Sequence, residues 1–302
     1  MAIVIGTAGR DTFQLITERA QFFGLEDDRV AGLEDNDLII TGAGNDFLDG
    51  GDGDDNLSGG DGNDLIVGGA GFDFVSADAG NDIYYGGSET DTLDFAFIHF
   101  GAGPAREVNF NGVRVDLASR AVQNLGEFGL DQFFGFENVF GGAGGDTLLG
   151  TGGVNVLASR AGNDVVDGRG GNDQLRGGLG ADILIGGRGA DDIFNEPADG
   201  ARDRARFTSL LDSGVSAATR DEIFDFVRGQ DKIDLSLIDA NPLLRGNQAF
   251  RVVASLTSAP GEVRLVRSGA DTLVRVDGDR DTAVDMDIRV VGVHLAAGDL
   301  IL

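Results

Sequence analysis

Gly50–Ser58 (GGDGDDNLS) and Gly59–Val67 (GGDGNDLIV) are consecutive nine-residue blocks of one pattern, G-G-x-G-x-D-x-U-x, where U is a large apolar residue. Read outward from them, the register holds for eight blocks, from Phe23 to Asp94. The sixth position is always aspartate: Asp28, Asp37, Asp46, Asp55, Asp64, Asp73, Asp82 and Asp91. The eighth is always apolar: Val30, Ile39, Leu48, Leu57, Ile66, Val75, Tyr84 and Leu93. Glycines at positions one, two and four permit a tight turn with φ > 0. The apolar residue and its two neighbours make a short strand with one side chain pointing inward. One turn plus one strand cannot bury that side chain alone, but stacked copies bury a continuous column. Two blocks complete a coil, so turns on the same side recur every eighteen residues. Asp46 then lies beneath Asp64, and Asp64 beneath Asp82. Stacked turns supply carboxylates and carbonyls, the oxygen donors of which Ca²⁺ takes roughly six to eight.

A second array opens at Gly141–Leu149 (GGAGGDTLL) and runs to Phe194. Its sixth positions are Asp146, Asn155, Asp164, Asp173, Asp182 and Asp191. Asn155 keeps one carbonyl oxygen but no charge, so a weakened or empty site is expected there. An early block, Gly6–Gln14 (GTAGRDTFQ), also fits. Asp11 is one residue out of step with Asp28, so it is expected to cap the roll rather than join its ladder. A disordered acidic linker shares this composition. A linker has no reason to return an apolar residue at every ninth position, so order is expected with calcium and disorder without it.

The chain of 302 residues has 23 basic and 51 acidic side chains, a net charge of −28. Such a charge destabilises a compact state by self-repulsion. Pairing each sixth position with the one eighteen residues on gives about ten calcium ions as an upper estimate. Their charge would offset most of the repulsion, which couples metal binding to folding. The acidity and the lack of a basic patch argue against nucleic acid. With no cysteine, disulfides play no part. The N-terminal MAIVIGTAGRDTF lacks the charged-then-apolar order of a Sec signal peptide. No apolar run has the length of a membrane span. The weak, extracellular-type affinity expected of such loops places the folded protein outside the cell.

These blocks resemble the RTX (repeats-in-toxin) proteins, which bacteria export by type I secretion. The last third is similar to the C-terminal domain of serralysin-type metalloproteases. The segments that carry this second resemblance are Asp221–Ser236 (DEIFDFVRGQDKIDLS), Asp239–Phe250 (DANPLLRGNQAF), Asp277–Asp285 (DGDRDTAVD) and the terminal Gly298–Leu302 (GDLIL). The resemblance implies a right-handed parallel β-roll with calcium between the turns. It also implies export of the unfolded chain, folding in external calcium, and a C-terminal region that addresses the secretion machinery.

Catalytic motifs are missing. The two histidines, His99 and His294, cannot form H-E-x-x-H, and there is no G-x-S-x-G nucleophile elbow. Between the arrays, Val108–Leu117 (VNFNGVRVDL) alternates like a half-buried strand. Phe95, Phe97, Phe100, Phe110, Phe128, Phe133, Phe134, Phe136 and Phe140 crowd that region. They are expected to pack against the rolls; the functional alternative is an exposed aromatic face for a glycan or a neighbouring subunit. Arg202, Arg204 and Arg206 lie in a segment expected to be a solvated strand or loop; as a strand, its alternating spacing would put all three on one face. Asp277, Asp279 and Asp281 mark either a hairpin tip or a separate calcium site.

The expected architecture is all-β: a cap over residues 1–22, a first calcium roll over 23–94, a β insert over 95–140, a second roll over 141–194 and a C-terminal secretion domain over 195–302. The expected protein is a secreted, non-catalytic, calcium-binding scaffold. It would act at the cell surface by self-assembly or by adhesion to cell-surface polysaccharide. A glycan-binding accessory module and the C-terminal part of a larger secreted metalloprotease are the alternatives.

Overall fold

A computed structural model describes residues 3–5, 12–14, 27–95, 112–196, 200–241, 244–257, 259–279 and 281–302. Asp11, His99, Phe97, Phe100, Phe110, most of the 1–22 cap and the first part of Val108–Leu117 lie outside the described residues. The chain divides into two compact units, Met1–Gly144 and Gly145–Leu302.

The first unit is a parallel β-roll. One of its sheets stacks Ile3–Ile5, Arg29–Glu34, Phe47–Asp52, Leu65–Ala70, Ile83–Ser88 and Leu130–Phe134 in parallel, with Gln123–Asn124 antiparallel at the end. The facing set stacks Thr12–Gln14, Leu38–Ala43, Asn56–Asp61, Phe74–Ser76, Thr92–Asp94 and Asn138–Phe140. The period of two blocks per coil fixes the register, with Val30 opposite Leu48, Leu48 opposite Ile66, and Ile66 opposite Tyr84. The eighth positions point inward and are sealed: Leu48, Ile66, Val75, Tyr84 and Leu93 have no exposed surface. The register slip at the early block also has a structural counterpart, since Phe13 stands opposite Ile39.

The insert extends this roll. Phe133 stands opposite Tyr84 and Val139 opposite Leu93, so two insert strands continue the two sheets of repeats. Phe95, Phe128, Phe133 and Phe136 are buried, with Phe95 edge-on to both Phe128 and Phe133. Phe134 lies on the outer face, stacked on Tyr85 at 4.8 Å.

The second unit repeats the scheme with three-residue strands. Leu148, Val166, Leu184, Ala205, Ile233 and Leu300 form one inward column, paired in that order. Leu157, Leu175, Ile193, Ile223 and Val290 form the other. The stacking thus runs past residue 194 and into the C-terminal segment. There Met286–Val290 turns the sheet antiparallel through Asp271–Asp277 and Glu262–Ser268. Arg204 and Arg206 share the outer face of the strand Arg204–Arg206, and Arg206 donates to Asp234 at 3.1 Å. The turn Ala297–Asp299 is pinned by Asp299, which accepts the Gly229 N–H and the Ala296 N–H.

Candidate calcium ladder

Each coil places its sixth-position carboxylate under the turn of the coil before it. Asp46 Oδ1 accepts the Asp28 N–H at 2.6 Å, Asp64 Oδ1 the Asp46 N–H at 2.8 Å, and Asp82 Oδ1 the Asp64 N–H at 2.7 Å. On the other side Asp55, Asp73 and Asp91 do the same for Asp37, Asp55 and Asp73. In the second unit Asp164, Asp173, Asp182 and Asp191 take the N–H groups of Asp146, Asn155, Asp164 and Asp173. One oxygen of each carboxylate therefore staples two coils. Where the block opens with glycine, the other oxygen, Oδ2, lies over that glycine. A Cβ on Gly50 would press on Asp55 Oδ2 and on the Gly68 carbonyl eighteen residues on; Gly68 meets Asp73 and Gly86 in the same way, and Gly168 meets Asp173 and Gly186. At these three positions the glycine serves by the room it leaves, since its φ is unremarkable there; Thr41, Ala77 and Ser159 open other blocks.

This donor set suits a hard divalent cation. The Oδ2 atoms of Asp55, Asp64, Asp73, Asp91, Asp173 and Asp191 are buried without a hydrogen-bond partner, and those of Asp55, Asp73, Asp91 and Asp173 lie toward a backbone carbonyl of a stacked turn. Buried unpaired carboxylate oxygens are costly, and Ca²⁺ takes oxygens of these two kinds. Burial, and next to it the neighbouring ladder carboxylates, push Asp64 up to about 8 and Asp73 to about 7, against the lowering effect of the backbone N–H each accepts. Burial likewise drives Asp173 to about 7. A bound cation reverses that sign, because it favours the charged form.

The ladder continues where the nonapeptide stops. Asp131 Oδ1 accepts the Asp82 N–H at 2.8 Å across 49 residues, and Glu137 Oε2 accepts the Asp91 N–H at 3.0 Å across 46. In the second unit Asp203 takes the Asp182 N–H, Asp231 the Asp203 N–H, and Asp221 the Asp191 N–H. Asp131 and Asp221 also carry a partnerless buried Oδ2, and burial raises them to about 8 and about 9. The glycine pattern does not reveal these residues. A shorter signal does: an acid followed two residues on by an inward apolar residue, as in Asp131/Phe133, Glu137/Val139, Asp203/Ala205, Asp221/Ile223 and Asp231/Ile233.

A second, exposed ladder occupies position five and runs the opposite way. Asn45 Oδ1 accepts the Asn63 N–H, Asn63 Oδ1 the Asn81 N–H, and Asn81 Oδ1 the Leu130 N–H, each at 2.9–3.0 Å. Asp82 departs from the common arrangement, since the Tyr84 hydroxyl donates to its Oδ2 at 3.0 Å. So does Asn155, whose Oδ1 turns to Thr151.

At the C-terminal hairpin the carboxylates of Asp277, Asp279 and Asp285 converge, with one oxygen of each within 4.8 Å of the others. Asp277 is fully buried, its Oδ2 has no partner, and burial pushes it up to about 6. Asp281 lies outside this trio, and its carboxylate accepts the Ala283 N–H. His294 Nε2 meets the Gly269 carbonyl at 2.9 Å. Among the described residues no helix is long and apolar enough to cross a membrane.

Comparison with known proteins agrees with this ladder. Residues 24–57 and 58–93 match the RTX calcium-binding nonapeptide repeat. Residues 126–302 match the peptidase M10 serralysin C-terminal model. The chain belongs to the serralysin C-terminal family, and it is a secreted, calcium-binding RTX protein with a C-terminal domain associated with type I secretion. No curated protein matches it. Among solved structures, the AlgE6R3 subunit of the Azotobacter vinelandii mannuronan C5-epimerase is similar at 29% identity over 53% of this chain and 78% of that one, with a TM-score of 0.23. The extracellular lipase LipA of Serratia marcescens is similar at 16% identity over 88% of this chain, with a TM-score of 0.23; this chain spans only 42% of the lipase.

Proposed function

We propose that this protein is a non-catalytic scaffold that becomes rigid only outside the cell, where calcium fills its ladders, and that acts there at the cell surface by assembly or adhesion. The observation that carries this reading is the buried Oδ2 atoms of Asp55, Asp64, Asp73, Asp91, Asp173 and Asp191, which have no hydrogen-bond partner among the described residues. The proposed ligands in the first roll are Asp28, Asp37, Asp46, Asp55, Asp64, Asp73, Asp82 and Asp91, closed by Asp131 and Glu137. In the second they are Asp146, Asp164, Asp173, Asp182 and Asp191, closed by Asp203, Asp221 and Asp231. A separate site at Asp277, Asp279 and Asp285 stands apart from the ladders. Circular dichroism in excess chelator should show a largely unfolded chain, and millimolar calcium should restore the β signal; a folded spectrum in chelator would sink the reading. Fractionation of secreting cells, with microscopy of the released material, tests the surface role. A soluble, unattached monomer would remove it.

A glycan-binding role is supported by one feature, the outward Tyr85–Phe134 stack, with Tyr85 41% exposed. An exposed aromatic ring of this kind suits a sugar ring, and a flat response of the protein on a polysaccharide array would exclude it. Zinc-dependent proteolysis by the secreted product tests the remaining alternative, a metalloprotease of which this chain is the C-terminal part.

A further inference from the structure

One turn of the second ladder is closed by the chain's own cation. Asn155 replaces the usual aspartate and is fully buried. Its backbone N–H still donates to Asp173 Oδ1 at 2.8 Å, so the coil-to-coil staple is intact. Its Oδ1 sits where the outer carboxylate oxygen sits elsewhere: a Cβ on Gly150 would lie 2.5 Å from Asn155 Oδ1 and 2.9 Å from the Gly168 carbonyl. That oxygen is occupied, accepting the Thr151 N–H at 2.7 Å and the Thr151 hydroxyl at 3.1 Å. From the next turn on the same side, Arg169 reaches back and donates from Nη1 to the Gly150 carbonyl at 2.9 Å. Arg169 does so from a left-handed backbone, φ 70°, at the second position of its block, where Gly51, Gly69 and Gly187 also have positive φ.

We infer that the Asn155 turn is a calcium position converted to a guanidinium position: Arg169 bridges the two stacked turns in place of the metal, and this turn binds no calcium. The charge balance agrees. Replacing aspartate by asparagine removes one negative charge, and a guanidinium brings one positive charge to carbonyl oxygen with fixed donor geometry. Charged donors make the stronger hydrogen bonds. Thr151 meanwhile satisfies the amide oxygen that would otherwise be left buried and unpaired.

The inference rests on the calcium reading above, and the test separates the two. Bound calcium per folded chain is counted by equilibrium dialysis against calcium, for the wild type and for the double variant Asn155→Asp/Arg169→Gly. The double variant restores both the carboxylate and the glycine of a regular block, and is expected to bind one more calcium ion than the wild type. An equal count in two folded proteins overturns the inference. A wild type that binds none overturns the calcium reading itself. If the double variant does not regain β signal in calcium, Arg169→Gln decides, because it keeps a donor but removes the charge. It should bind as many ions as the wild type yet melt roughly 3–6 °C lower at saturating calcium. An unchanged melting temperature would show that the guanidinium bridges nothing.

Discussion

The two units use one ladder under different charge loads. Met1–Gly144 has 6 basic and 26 acidic residues, net −20, whereas Gly145–Leu302 has 17 and 25, net −8. In both, a sixth-position carboxylate, such as Asp73 or Asp173, staples the coil before it and turns its second oxygen toward a carbonyl of a stacked turn. The second unit also places arginines against its acids: Arg220 on Asp287 at 3.0 Å, and Arg289 on both Glu222 and Asp271 at 2.8 Å. The ligand geometry can therefore be held constant while the dependence on outside cations varies. A unit that brings its own positive charge needs less calcium to overcome self-repulsion.

The largest expected effect is the order in which calcium withdrawal opens the chain. As free calcium is lowered, amides of the first unit, such as those of Asp46, Asp55 and Asp64, should lose protection from hydrogen exchange before those of Asp164, Asp173 and Asp182. Exchange followed by mass spectrometry across a calcium series reads this directly. Simultaneous loss, or loss in the reverse order, would mean that resident arginines do not substitute for metal charge.

Next in size is the glycine that makes room for the site. Gly50→Ala drives a methyl into Asp55 Oδ2 and the Gly68 carbonyl. We expect a loss of about 1–3 kcal/mol, as for overpacking in general, with a raised calcium requirement. Gly150→Ala meets its neighbours at 2.5 and 2.9 Å around an amide that holds no charge. It should cost less stability and leave the calcium requirement unchanged. Calcium titrations of the two variants by circular dichroism compare them, and matching shifts would erase the distinction between an aspartate turn and the asparagine turn.

The pH response should be common to both units. Asp64 and Asp131 in the first, and Asp173 and Asp221 in the second, have folded-state values of about 8, 8, 7 and 9, raised mainly by burial above the ordinary 3.8. In chelator the folded chain thus holds more protons than the unfolded chain. The stability these groups contribute is fully present below about pH 4 and is lost as pH rises through about 7 to 9. With calcium the sign inverts, because protons compete for the same oxygens, so half-saturation should need more calcium at pH 5.5 than at pH 8. The residual β signal in chelator at the two pH values, and calcium titrations at both, check the two halves. A pH-independent calcium midpoint would remove these carboxylates from the ligand set.

Much of this arrangement is legible in the sequence, for a physical reason. The strict nine-residue spacing of Asp55, Asp64 and Asp73 leaves a coil of fixed length as the economical way to bury Leu57, Ile66 and Val75 together. Asp131, Asp203, Asp221 and Asp231 are less legible because the connections before them vary in length, at separations of 49, 21, 30 and 28 residues. Their turns are not glycine-patterned, so only acid-then-apolar spacing survives. The aspartate trio at the C-terminal hairpin shows a different limit. Even spacing groups Asp277, Asp279 and Asp281, but the chain reverses between its strands and brings in Asp285 instead.

The smallest expected effect concerns the exposed ladder at position five, where the two sides of the first roll differ. On one side Asn45, Asn63 and Asn81 hand an amide oxygen from coil to coil up to Leu130. On the other, Asn36 accepts the Asp54 N–H and Asp54 the Phe72 N–H, and there the series ends, since Phe72 has no side-chain acceptor and is 60% exposed. Phe72→Asn would offer an oxygen to the N–H of Thr90, the residue at the same position one coil on. One added hydrogen bond is worth about 0.5–1.5 kcal/mol, and an exposed phenylalanine contributes little burial to set against it. The variant should therefore melt a few degrees higher at fixed calcium, with its calcium count unchanged. A lower melting temperature would show that Phe72 makes an apolar contact of its own and that the ladder stops there because the surface needs the ring.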